Sequence, residues 1–324
     1  MGAVIYARYN STIKFNSSLL IANNSAVEYA IVYLYSDCNG HFSGNATFSN
    51  NLGSLMAFST NITFTGSVTF VSNQEPQTVN FQEGGSITLF QSNMLFNGMC
   101  NLEYNHAQNG GAVLSVDSKV YVNGNVTVAH NTAARNGGGI HLSNSELNCQ
   151  RKSTFELLNN TATHKGGGLH AVGSSIKAMS STMLWSQYTG TKINFVKNTA
   201  ESGGGLSLEA NAKLYIEKRH VTAQYIALTV TLTDNTAHYG GAVYVDDDTN
   251  SGTCTSDPKA DCFFQVLDLI GYEDNFVTTP NIYFSQNYAK ISGSTLYGGL
   301  LDSCLLYTSP SPRDATLSRM PSSA

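Results

Sequence analysis

One phrase recurs along the chain and limits what it can fold into: an apolar residue, an Asn three places on, an Ala two places later, then a glycine pair and an aliphatic residue. Its clearest copies run 102–113, 128–140, 157–169, 195–206 and 232–243. Their asparagines are Asn105, Asn131, Asn160, Asn198 and Asn235, and their alanines are Ala107, Ala133, Ala162, Ala200 and Ala237. The first glycine of each pair falls at Gly84, Gly110, Gly137, Gly166, Gly203 and Gly240, in steps of 26, 27, 29, 37 and 37 residues. A period in the twenties that lengthens by local insertion marks a solenoid, in which each repeat buries its apolar face only by stacking on the next.

The residues before each Asn alternate, as in Val126-Thr127-Val128, Phe155-Glu156-Leu157 and Ile193-Asn194-Phe195. That is the period of a short strand with one side buried. A second alternation follows the glycines, with Val113, Ile140, Leu169, Leu206 and Val243 on the inner side and Leu114, His141, His170, Ser207 and Tyr244 expected outward. A third places Val120 and Val122, Leu147 and Cys149, Ile176 and Ala178, and Leu214 and Ile216 inward. Three strands per turn predict a triangular coil. The fold class is therefore all-β, a parallel β-helix of about 10–11 coils, roughly 50 Å long at the usual strand spacing.

Backbone geometry accounts for the two most uniform positions. Asn suits one corner because it tolerates the left-handed region and its amide bonds the Asn of the coils above and below. Gly suits the other, where positive φ or close backbone approach excludes a Cβ. Asn105, Asn131, Asn160, Asn198, Asn235, Gly110, Gly137, Gly166, Gly203 and Gly240 are thus expected to be structural, with no catalytic or metal role.

The F-x-x-N and G-G-A-[ILV] signatures, here Phe195 to Asn198 and Gly240-Gly241-Ala242-Val243, resemble those of the polymorphic outer-membrane-protein repeat family. The resemblance covers roughly residues 45 to 300 and implies a right-handed parallel β-helix, surface display and adhesion. Three copies carry Gly-Gly-Gly where that family prefers Gly-Gly-Ala, so the resemblance extends to fold and broad role.

Of the 324 residues, 12% are charged, and the 32 Asn, 36 Ser and 30 Thr supply the polar surface instead. With a net charge of -5 and no Lys/Arg cluster, nucleic-acid binding is not expected. No stretch approaches the roughly 18 apolar residues of a membrane span. Met1 to Asn10 lacks the charged and apolar regions of a signal peptide, leaving a cytosolic protein or a missing leader. The strand-like start at Ile13-Lys14-Phe15 favours a fragment of a longer extracellular or cell-surface protein.

Three segments are expected. Residues 1–80 hold degenerate coils around Phe15, Phe48, Phe64 and Phe70. Residues 81–303 form the regular helix, with insertions near 177–191, 217–226 and 246–262. Residues 304–324 contain CLLYTSPSPRD and SRMPSSA, which read as translated sequencing-adapter sequence. Leu305 to Ala324 is therefore set aside from fold reasoning, and Cys304 is either the last native residue or the first adapter residue.

Candidate sites are few. Trp185, the only tryptophan, and Tyr188 lie in an insertion, so they form either a contact loop or a cover for the flank. Asp246-Asp247-Asp248 with Asn250 and Asp257 matches no calcium-loop spacing and reads as a solvated acidic loop. Cys254 and Cys262 can close a loop as a disulfide in an oxidising compartment, whereas Cys100 and Cys149 occupy inward places as buried thiols. His141 and His170 share one outward position on successive coils, giving an exposed ladder with rings about 5 Å apart. The seven N-x-[ST] sequons match what this composition gives by chance.

The residues favour a non-catalytic scaffold or adhesin, without cofactor, presenting a flat Asn/Ser/Thr-rich face and loops to a protein or glycan. The alternative is a polysaccharide lyase or glycosidase. Such an enzyme needs carboxylates, or carboxylates with Lys or Arg, converging on adjacent coils. Glu156, Glu209 and Asp246 are the first residues to consider for it. A structural rod without a ligand shares every feature of the scaffold.

Overall fold

The computed structural model describes residues 4–26, 30–76, 84–150, 153–179, 191–219, 229–246, 264–269, 281–292, 296–297 and 307–308. These form a right-handed parallel β-helix whose three long sheets contain ten, nine and ten strands. We call them sheets A, B and C in the order in which the chain visits them. Ten strands in sheet A mean ten coils, within the range expected from the period.

The inward residues of all three sheets merge into one core running the length of the stack. Phe42 and Phe64 stack at 4.7 Å between ring centroids, Phe48 and Phe70 at 4.4 Å, and the Phe64 and Phe70 rings meet edge-on at 87°. Cys38, Cys100 and Cys149 are fully buried free thiols, and burial pushes the Cys100 and Cys149 thiols well above the usual range. The first three coils, expected to be degenerate, use the same three sheets as the rest. Between the second and third coils the return from sheet C to sheet A is short, only residues 50–54 between Ser49 and Leu55, and carries no glycine pair.

The corner from C to A carries the Asn ladder. Side-chain amides donate coil to coil from Asn24 through Asn51, Asn73, Asn105, Asn131, Asn160, Asn198 and Asn235 to Asn287, at 2.9 to 3.2 Å. The left-handed residue is not the ladder Asn, as expected, but the one before it: Tyr104, His130, Asn159, Lys197 and Asp234 have φ from 51° to 57°. The turn thereby aims the next side chain into the stack, where its amide meets both neighbouring coils.

The other two corners have rows of their own. From A to B, Thr60 N–H donates to Ser92 Oγ (3.1 Å), Ser92 to Ser118 (2.9 Å), Ser118 to Ser145 (3.1 Å) and Ser145 to Ser174 (2.9 Å). From B to C, Gly66, Gly98 and Gly124 each pass so close to the preceding coil that a Cβ would overlap a glycine carbonyl there.

After each ladder Asn in the middle coils the chain forms a short extra strand, as at His106–Ala107, Thr132–Ala133 and Thr161–Ala162. It then doubles back through a glycine with φ near +60°, such as Gly110 or Gly137. This return lies over the start of the next sheet A strand, where a Cβ on Gly110 would reach the Val113 carbonyl and the Leu114 nitrogen. It roofs the column expected to be outward: Leu114, His170 and Ser207 are buried, and His141 and Tyr244 half-buried. The strands before and after the expected insertions, ending at Met179, Arg219 and Asp246, hold register with their neighbours. Tyr307 and Thr308 pair with Tyr283 and Phe284, and the rest of 304–324 lies outside the described residues.

Candidate functional site

A polar cluster lies over the outer side of sheet A in coils 6 to 9. Register places His141, His170, Ser207 and Tyr244 side by side, with Glu209 and Asp246 adjacent two residues further along the same strands. Lys165 arrives from the return loop just before Gly166. Its ammonium contacts Glu209, lies 2.8 Å from Asp246 Oδ2, and sits 5.7 Å from the centre of the Tyr244 ring.

His170 and His141 meet through their Nδ1 atoms at 2.9 Å, with ring centroids 4.8 Å apart as the coil spacing predicts. The expected exposed ladder does not hold for His170, which is only 2% exposed because the return loop covers it; Glu209 Oε2 stands 3.4 Å from its Nε2, off line for a hydrogen bond. One tautomer suits both contacts, with a proton on His170 Nε2 facing Glu209 and the His141 Nδ1–H donating to His170 Nδ1.

The charged groups are paired with one another, two carboxylates on one ammonium. Burial pushes the Glu209 carboxyl up, but His170 and Lys165 outweigh it and hold the group at about 2. Burial lowers the Lys165 pKa, and its bonds to Asp246 and Glu209 more than reverse that, leaving it raised. Burial and then the neighbouring His170 bring His141 down to about 3, against a smaller opposing pull from Glu209. Among the described residues, no three His, Cys, Asp or Glu side chains converge as metal ligands.

Of the residues first considered for an enzyme, Glu209 and Asp246 come together, while Glu156 lies on sheet C, where the Asn194 amide approaches it at 3.3 Å. Lys165 was missed, being 44 and 81 residues from its two partners. Aligning the fourth residue of each strand after the glycines would have paired Glu209 with Asp246, but would not have revealed the lysine. Trp185, Tyr188, Cys254, Cys262, Asp247, Asp248, Asn250 and Asp257 lie outside the described residues. No helix among the described residues is long and apolar enough to cross a membrane.

Comparison with family models, curated proteins and solved structures gives no match for this chain.

Proposed function

We propose that the chain is a non-catalytic scaffold of the extracellular or cell-surface kind, holding polar columns and inserted loops against a protein or glycan partner. It is the role implied by its resemblance to the polymorphic outer-membrane-protein repeats. The observation that carries this reading is that, in the enzyme-like cluster of the described residues, each charged group is already tied to another member of the cluster. A glycosidase needs a carboxylic acid that stays protonated near its working pH, and Glu209 is held at about 2. A lyase needs a cation free to meet the substrate carboxylate and a base that titrates near neutrality. Lys165 is already held between two carboxylates, and His141 sits at about 3.

The outer surface has what a display scaffold needs. Sheet C presents Thr47, Thr69, Asn101, Thr127, Glu156, Asn194 and Thr231 in one outward column, and sheet B presents Asn39, Asn61 and Asn93, whose amides bond along the axis. The test is incubation with a panel of neutral and acidic polysaccharides, followed both by retention in affinity electrophoresis and by new chain ends. Retention without cleavage is expected. Depolymerisation that disappears in Glu209→Gln would replace the scaffold by the enzyme reading.

A further inference from the structure

The fourth position of the sheet A strands forms a second outward column that the return loops leave partly open. Among the described residues it runs from Arg8 through Tyr35, Phe58 and Phe90, then Val116, Ser143 and Val172, to Glu209 and Asp246, each in register with the next. Phe58 and Phe90 stack at 4.6 Å and Tyr35 packs on Phe58 at 6.0 Å, so the aromatic part is continuous. Arg8 is exposed, lies over the Tyr6 and Tyr9 rings, and has no ion-pair partner among the described residues. At the other end two carboxylates share one lysine, leaving one negative charge in excess.

We propose that this stripe is the interface of an antiparallel homodimer. A stripe with a cation at one end, apolar residues in the middle and an anion at the other is complementary to its own reverse. A two-fold axis across it generates such an isologous contact. An axis at the level of Val116 sets Arg8 against Asp246 of the second copy, Tyr35 against Glu209, Phe58 against Val172, Phe90 against Ser143, and Val116 against itself. Both copies have the same coil spacing, so when one of these pairs meets the others do too. The eight steps from Arg8 to Asp246 span about 38 Å at the usual strand spacing. A contact of that length reaches the roughly 800 Å² per partner of a standard interface at a width of about 20 Å. Tyr and Arg at one end and a depleted charge density in the middle match the composition of such contacts.

Sedimentation velocity of the full chain over a concentration series tests this, with far-UV circular dichroism confirming that each variant folds. The expected result is a monomer–dimer equilibrium that Arg8→Glu weakens at least tenfold and Phe58→Asp abolishes. Arg8→Glu combined with Asp246→Arg should restore most of the affinity, and Leu20→Asp, on the exposed face of sheet C, should change nothing. A chain that stays monomeric throughout overturns the proposal, as does a dimer indifferent to both Arg8→Glu and Phe58→Asp. Binding of polygalacturonate to a monomer, lost in Arg8→Glu, would assign the stripe to an acidic glycan instead. Retention of a ligand without cleavage bears on the scaffold reading alone, so the two readings fail separately.

Discussion

Replacing Asn131 tests whether the ladder stabilises the fold as its geometry implies. The buried Asn131 amide donates to Leu102 O (2.8 Å) and to Asn160 Oδ1 (3.0 Å), and its oxygen accepts from the Asn105 N–H and Nδ2, both at 2.9 Å. In Asn131→Ala, Leu102 O and both Asn105 donors lose these bonds inside the stack, whereas Asn105 Nδ2 keeps Phe70 O at 3.2 Å and Asn160 Oδ1 keeps the Asn131 N–H at 3.0 Å. At about 1–3 kcal/mol for each buried group left unpaired, the cost is roughly 2–6 kcal/mol. Asn131→Asp has nearly the native shape, yet its second oxygen faces two acceptors. Its carboxyl is therefore better accommodated protonated, and its folded pKa is raised. For a raised acid the penalty is absent below the unfolded pKa, near 4, and grows as pH rises towards the folded value. The assay is urea unfolding followed by circular dichroism, from pH 4 to 7. The Asp variant should be the least stable at pH 7 and overtake the Ala variant as pH falls. Asn61→Ala, in the exposed row, serves as the control and should cost under about 0.5 kcal/mol. An Ala variant within about 1 kcal/mol of the parent, or an Asp variant indifferent to pH, would refute the reasoning.

Three further outcomes follow from the geometry. His141, at about 3 when folded against about 6.5 for a free imidazole, makes the unfolded state bind more protons between those limits, so its contribution is complete above pH 6.5 and lost as pH falls. At pH 4.5 the loss is about 2–3 kcal/mol. His141→Leu removes this liability but leaves His170 Nδ1 without its partner, so stability curves of parent and variant should cross below neutrality; parallel curves would exclude the linkage. Gly138→Ala would drive a Cβ into the Gly167 carbonyl and the Thr161 backbone, at a cost of about 2–3 kcal/mol in the free energy of urea unfolding, and a neutral effect would mean that the coils part easily. Lys165→Met leaves Glu209 and Asp246 adjacent and unscreened, so the variant should lose stability at pH 7 and recover part of it as pH falls through the carboxylate range, read by thermal melts.

The rows of Asn and Gly were legible because each pairs a distinctive residue with a fixed offset from an apolar alternation. The serine row was not, although Ser118, Ser145 and Ser174 each stand directly before a sheet B strand. Serine is common throughout this chain, and one hydroxyl in a turn announces little. The left-handed corner was displaced by one residue because the position that needs positive φ accepts Tyr, His, Asn, Lys and Asp alike, so composition does not mark it. The column through Leu114 and His170 was assigned the correct side of the sheet and the wrong environment. Alternation gives a direction, whereas burial there depends on a loop arriving from the preceding corner. The return leaves the fourth position partly open, which is why Glu209 and Asp246 remain half-buried and reachable by Lys165.

That lysine bears on how the stack holds together. In a solenoid each coil is stabilised by its two neighbours, so stability is close to a sum of nearest-neighbour terms. Lys165 leads into coil 7 and contacts Glu209 in coil 8 and Asp246 in coil 9, so one side chain joins a coil to its second neighbour. Between the coils it joins lie the two steps that lengthen to 37 residues. A long insertion adds chain entropy that favours opening a coil, though only slowly with length. A contact that skips a coil opposes this by making the opening of coil 8 disturb both coils beside it. The cluster that looks most like an active site by composition is, by geometry, a clasp across the two coil steps of 37 residues.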